Sequence, residues 1–289
     1  MRLRSLLFVP GDSERKFAKA CATAADGLIL DLEDAVAPAR KEAARQQVSD
    51  FLDGSMAPRA WGFWVRINPF ASGLSLGDLA VVVRPGLDGI VLPKADGSSE
   101  VARLGHCLDV LEVKAGIPAH AIKILVVATE TPAALFNLGG YAPAHPRLAA
   151  LTWGAEDLAA ALGASDNKGP DGNWAATYEL ARSLCLIAAA NAGVIPLDTL
   201  FADFRDSVGL ERSCRAARRD GFLGRIAIHP DQVDIINACF TPSPEELAAA
   251  QRVVAAFAAQ PDSGAIAIDG RMYDIPHLKQ AQRTLASGA

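Results

Sequence analysis

The chain has 289 residues, 51% of them hydrophobic, and a formal net charge of −5. That is enough apolar material for one large core, while mixed charges on an acidic chain exclude the basic face that nucleic acid or an anionic membrane requires. Five scattered cysteines (Cys21, Cys107, Cys185, Cys214, Cys239) form no CxxC pair, so reduced core thiols in a cytoplasmic protein are expected, not disulfides or a zinc site.

Taken in chain order, the start is expected to be a strand and not a secretory signal, and no apolar stretch is long enough to span a bilayer. Short β-branched runs predict strands at 6–9, 27–30, 63–67, 89–92, 124–128, 150–153, 194–197 and 225–228. Helical patterns lie between most of them, clearest at 14–25, 99–115, 177–191 and 211–220. Eight strands with helical crossovers predict a closed parallel (β/α)8 barrel. The seventh run is the least secure because Pro196 interrupts it. After the eighth run, helices at 229–239 and 243–259, a hairpin at 265–273 around Asp269-Gly270, and a helix at 275–285 are expected. This tail is too short for an independent core. The expected organisation is a barrel over 1–240 with a C-terminal extension over 241–289.

The strand ends carry the polar residues of interest: Asp31 with Glu33 and Asp34, Arg66 with Asn68, Lys94, Glu130, and Glu156 with Asp157. A barrel brings such ends to one C-terminal face, where active sites sit. Three carboxylates at 31–34 serve either as turn and cap chemistry or as part of a charged site offset by a cation or arginine. Glu130 and Asp157, from adjacent strand ends, can supply two ligands to an octahedral hard cation such as magnesium; alternatively Glu156 or Asp157 merely caps the next helix. Arg66 can grip a substrate carboxylate bidentately or form a structural ion pair with the 31–34 cluster. Lys94 is a poor Schiff-base candidate, since nearby carboxylates favour its charged form. His229 reads as structural. Arg15, Lys16 and Lys19, around the first helix, suit phosphates or a solvated face equally. There is no GxGxxG placed after a strand and no Walker loop, which disfavours dinucleotide redox chemistry and nucleotide hydrolysis.

In order over nearly the whole chain, Ser5–Gly11, Asp31-Leu32-Glu33-Asp34-Ala35-Val36, Arg66-Ile67-Asn68, Leu92-Pro93-Lys94, Glu130-Thr131, Gly154-Ala155-Glu156-Asp157-Leu158, Ile228-His229-Pro230 and Met272-Tyr273-Asp274-Ile275-Pro276 resemble the citrate lyase β-subunit-like proteins and related acyl-CoA lyases. The resemblance implies magnesium held by Glu130 and Asp157, with Glu33 and Asp34 bonding its waters. It implies that Ala155 and Glu156 lie against substrate, that Arg66 binds the α-keto acid product, and that Arg15, Lys16 and Lys19 meet coenzyme A. It further implies a homotrimer or hexamer in which a C-terminal lid, carrying Asp274 as acid/base, covers a neighbouring subunit's site. The reaction so implied is magnesium-dependent cleavage of a β-hydroxyacyl-CoA, with citramalyl-CoA ahead of malyl-CoA and citryl thioesters. A metal aldolase acting on a free 2-keto-3-deoxy acid, and an idle assembly-subunit barrel, are the alternatives.

Overall fold

In the computed structural model, which describes residues 2–54 and 59–288, the eight apolar runs are eight parallel strands. They are β1 (Ser5–Pro10), β2 (Gly27–Asp31), β3 (Gly62–Arg66), β4 (Gly89–Leu92), β5 (Lys123–Val127), β6 (Leu148–Thr152), β7 (Ile195–Asp198) and β8 (Gly224–Ala227). The strands pair in sequence order, and β8 returns to β1 to close the barrel. Continuous apolar runs suit strands covered on both faces, and β2, β4 and β8 are buried at every residue. Leu6, Ile29, Trp64, Val91, Leu125 and Ile226 belong to one packed core cluster.

Helices α1 (Glu14–Cys21), α2 (Lys41–Gly54), α3 (Ser75–Val82), α4 (Ser98–Ala115), α5 (Pro132–Asn137), α6 (Glu156–Leu162), α7 (Ala176–Ala192) and α8 (Ser207–Asp220) form the crossovers. Among these helices two ends lie four residues from expectation. α1 stops at Cys21, four residues short of the predicted end, and α8 starts at Ser207 because the Asp206 side chain accepts from the Gly209 N–H at 2.8 Å. Pro196 does sit inside β7, opposite Leu151. It has no N–H to give, but its carbonyl still accepts from Leu223 N at 3.0 Å. The neighbouring β7–β8 seam has only two registered pairs, Leu197 with Gly224 and Asp198 with Arg225.

Two buried charge clusters belong to the frame. Just before β6, Arg147 is fully buried and bonds Glu112 through both terminal nitrogens at 2.6 Å each. Asp198 accepts from Trp153 Nε1 at 2.7 Å and from Arg225.

Residues 1–237 form one compact unit and 238–289 a second. The second contains α10 (Pro244–Ala258), after α9 (Val233–Phe240), then β9 (Ala265–Ile268), β10 (Arg271–Asp274) and α11 (Ile275–Gly288). A capping box between Ser243 and Glu246 starts α10. The antiparallel β9–β10 pair turns through Asp269 and Gly270, both at positive φ, as a two-residue hairpin turn demands. Contrary to the expectation that this tail is too short for a core of its own, Ala250, Val253, Phe257, Ile266 and Ala281 pack together as a small one, with Tyr273 and Leu278 against it.

Candidate active site

The barrel register places Asp31, the last residue of β2, opposite Arg66, the last of β3. Arg66 donates through Nε and Nη2 to the two Asp31 oxygens at 2.7 Å each. Asp31 also accepts from the main-chain N–H groups of Glu33 (2.9 Å) and Ala35 (3.0 Å). Of the three clustered carboxylates, Asp31 therefore does the turn chemistry. Arg66 Nη1 lies 3.0 Å from Glu33 Oε2, yet that buried oxygen makes no hydrogen bond among the described residues. The ion pair with the 31–34 cluster, one of the two roles expected of Arg66, is thus formed through Nε and Nη2, while Nη1 faces the rest of the cluster. Burial works against the guanidinium's charge, but Asp31, Glu33 and Glu130 outweigh it and hold Arg66 firmly protonated.

The next three exits complete the cluster. Lys94, two residues beyond β4, sends its ammonium to Glu33 Oε1, to Asp34 Oδ2 at 2.8 Å and to Asp157 Oδ1 at 3.2 Å. Its main-chain N–H donates to Glu130 Oε2 at 2.5 Å. Burial disfavours the ammonium, but those carboxylates push its pKa up; the group stays charged, which removes the Schiff-base role. Glu130, only 5% exposed, has its pKa pushed up to about 8 by burial, with Asp157 and Glu33 adding to the shift against the Lys94 N–H and Arg66. Glu33 is likewise raised, mainly by burial. In both groups burial outweighs the cations and donors beside them.

Local packing fixes the exits. Thr129 Oγ accepts from Gly154 N at 3.1 Å and donates to Gly154 O at 3.3 Å, which ties the loop after β5 to the loop after β6. A Cβ on Gly154 would stand 3.2 Å from Glu130 Cγ, so glycine gives the carboxylate its room. Thr131 caps α5 and donates to Asp96 at 2.5 Å. Lys41 Nζ bonds the carbonyls of Leu32 and Glu33 at 2.7 Å each. Asn68 bonds Leu32 O and the buried Asp78.

The barrel brings together Glu33, Asp34, Arg66, Lys94, Glu130 and Asp157. Neither Glu156 nor Asp157 caps α6, whose N-cap is Ala155 without a side-chain bond. Ala155 is buried and Glu156 exposed. Arg15, Lys16 and Lys19 lie on the exposed face of α1. His229 accepts from Asp231 N in a capping box, which is the structural role expected. In the second unit, Asp274 is paired with His277, Oδ1 to Nδ1 at 2.5 Å, a partner that sequence reasoning missed. The signal available was three-residue spacing at a helix start. Among the described residues no group of three or more His, Cys, Asp and Glu side chains is arranged to hold a metal. Magnesium needs only one or two carboxylates, completing its shell with water and substrate, and Glu130 with Asp157 offers such hard oxygens beside the unbonded Glu33 Oε2.

Residues 4–230 match the HpcH/HpaI aldolase/citrate lyase family. The chain belongs to that family. It is accordingly an enzyme of the aldolase/lyase group. A (3S)-malyl-CoA thioesterase of Cereibacter sphaeroides is 34% identical over 285 residues, covering 98% of this chain and 93% of that one. The mitochondrial citramalyl-CoA lyase of Rattus norvegicus is 32% identical over 304 residues, covering 98% and 86%. The crystal structure of CitE from Mycobacterium tuberculosis in complex with magnesium, acetoacetate and coenzyme A is 35% identical, with a TM-score of 0.76 and coverage of 99% and 97%. No helix among the described residues of this family member is long and apolar enough to cross a membrane.

Proposed function

We propose that the chain is a cytoplasmic, magnesium-dependent lyase that cleaves the C–C bond of a small β-hydroxyacyl-CoA, with (S)-citramalyl-CoA as the foremost substrate. The observation that carries this reading is the meeting of Glu33, Asp34, Arg66, Lys94, Glu130 and Asp157 at the exits of β2 to β6. Magnesium in the named lyase-family complex and coenzyme A in the same crystal support it.

Glu130 and Asp157 would hold the ion, with Glu33 and Asp34 bonding its waters and Ala155 and Glu156 bordering the substrate. When bound, magnesium supplies Lewis acidity to the substrate's hydroxyl and carboxylate oxygens. Arg66 Nη1 faces the same cluster and would hold the carboxylate of the departing α-keto acid, with Asp31 fixing the plane of the guanidinium. Loss of the hydroxyl proton and rupture of the C–C bond leave pyruvate and the enolate of acetyl-CoA. Asp274, on a lid from a neighbouring subunit of a trimer, would as a carboxylate take the hydroxyl proton and then return it to the enolate carbon. Arg15, Lys16 and Lys19 would meet the phosphates of coenzyme A.

The deciding experiment measures acetyl-CoA release from (S)-citramalyl-CoA, malyl-CoA and citryl-CoA, with magnesium and with EDTA. Magnesium-dependent cleavage, fastest for citramalyl-CoA and abolished by EDTA, is expected. Free CoA with an intact hydroxy acid would mark thioester hydrolysis instead. No turnover of any thioester by protein that binds magnesium would transfer the assignment to a free-acid aldolase.

A further inference from the structure

Lys94 touches four of the carboxylates around the site. Its ammonium reaches Glu33, Asp34 and Asp157, and its main-chain N–H reaches Glu130. An ammonium is a compact single charge with three donors; here Glu33 and Asp34 accept from it and Asp157 lies 3.2 Å away as an ion-pair partner. The backbone that achieves this is left-handed, at φ 51°, a conformation uncommon for a residue with a side chain. That twist lets one residue present its main chain to Glu130 and its side chain to the other three acids. The side chain keeps 26% of its surface exposed, so it has somewhere to go.

An ammonium and a dication cannot share one set of oxygens at these distances, because like charges a few ångströms apart repel strongly. We propose that Lys94 is the resident counter-cation of the metal site. Its ammonium holds the acids together in the metal-free protein and competes with the metal for Asp157 and Glu33. It swings towards solvent when the dication enters. The main-chain N–H keeps its hold on Glu130 in both states. The inference rests on the magnesium reading above.

The alternative is a lysine that stays in place and braces the acids for the metal. The two roles differ in sign. Removing a competitor tightens metal binding, whereas removing a brace weakens it. Lys41 supplies the control for simple loss of one positive charge nearby, since its ammonium bonds the Leu32 and Glu33 carbonyls and, among the described residues, no carboxylate.

The test is calorimetric titration of magnesium into the metal-stripped full chain, with thermal melts of the same samples, for wild type, Lys94→Met, Lys94→Gly and Lys41→Met. Lys94→Met keeps the hydrocarbon stem, and Lys94→Gly suits the left-handed backbone; agreement between them separates charge from backbone effects. Both are expected to bind magnesium about tenfold more tightly than wild type. Both should also melt lower without metal and gain more from it. Lys41→Met is expected to give no such tightening. Unchanged or weaker binding in both Lys94 variants would overturn the counter-cation role and leave the magnesium reading intact. Equal tightening in Lys41→Met would overturn it too. Failure of every protein, wild type included, to take up magnesium would remove both.

Discussion

Asp31 and Glu130 are both buried carboxylates at barrel exits, yet their surroundings set them to different work. Asp31 is saturated by Arg66 and two main-chain donors. Glu130 has one main-chain donor and acidic neighbours. Asp31→Ala strands a guanidinium that is largely out of water, and breaking such a pair typically costs about 3–5 kcal/mol. Urea unfolding should show that loss. Glu130→Gln retains an acceptor for the Lys94 N–H and should stay within about 1 kcal/mol of wild type, while magnesium-dependent cleavage disappears. The opposite pattern would exchange the two roles. The sequence displays the acids at 31–34 together but does not rank them. Their ranking depends on Arg66, 35 positions away, and so on the register of two strands.

At the scale of elements, the strands are legible because a parallel strand covered on both faces must be apolar throughout. Helices are harder. α2 buries only Ala44, Val48, Ser49 and Leu52, too thin a stripe to stand out among its charges. The start of α8 depends on Asp206, which looks like any loop aspartate until its oxygen is seen on the Gly209 N–H. Asp206→Ala should lower stability by about 1 kcal/mol, the usual worth of an N-cap, as read from denaturant midpoints. Arg147 is the clearest illegible residue. In sequence it resembles a surface arginine, but Glu112 lies 35 positions back in α4 and draws it inside. Glu112, penalised by burial but rescued by Arg147 and by the N–H groups of Ile122 and His120, has its pKa held down. Charged clusters thus occur at both ends of the barrel. The one before the strands braces the fold, and the one after them lies at the end where barrel enzymes place their active sites.

For the molecule as a whole, strand order and the polar exits were legible together, since eight apolar runs close only one way when each crossover is helical. The partners of buried charges were not, because nothing local to Asp198 announces Arg225. Burial alone would raise the Asp198 carboxyl, but Arg225, Arg182 and Trp153 outweigh it and hold the pKa below the ordinary aspartate range. A depressed folded value means that this group's stabilisation is complete above the unfolded value of about 3.9. It is lost as pH falls through the folded value. The Asp198–Arg225 pair bridges the seam that has only two registered positions. Hydrogen exchange is therefore expected to show 195–198 and 224–227 losing protection before the other staves as pH drops below about 4. Uniform loss around the ring would refute this. A barrel has no free edge, and that is its defence against pairing with its neighbours. Acid would unlock it at this one joint, and a sheet that could not aggregate would acquire two edges that can.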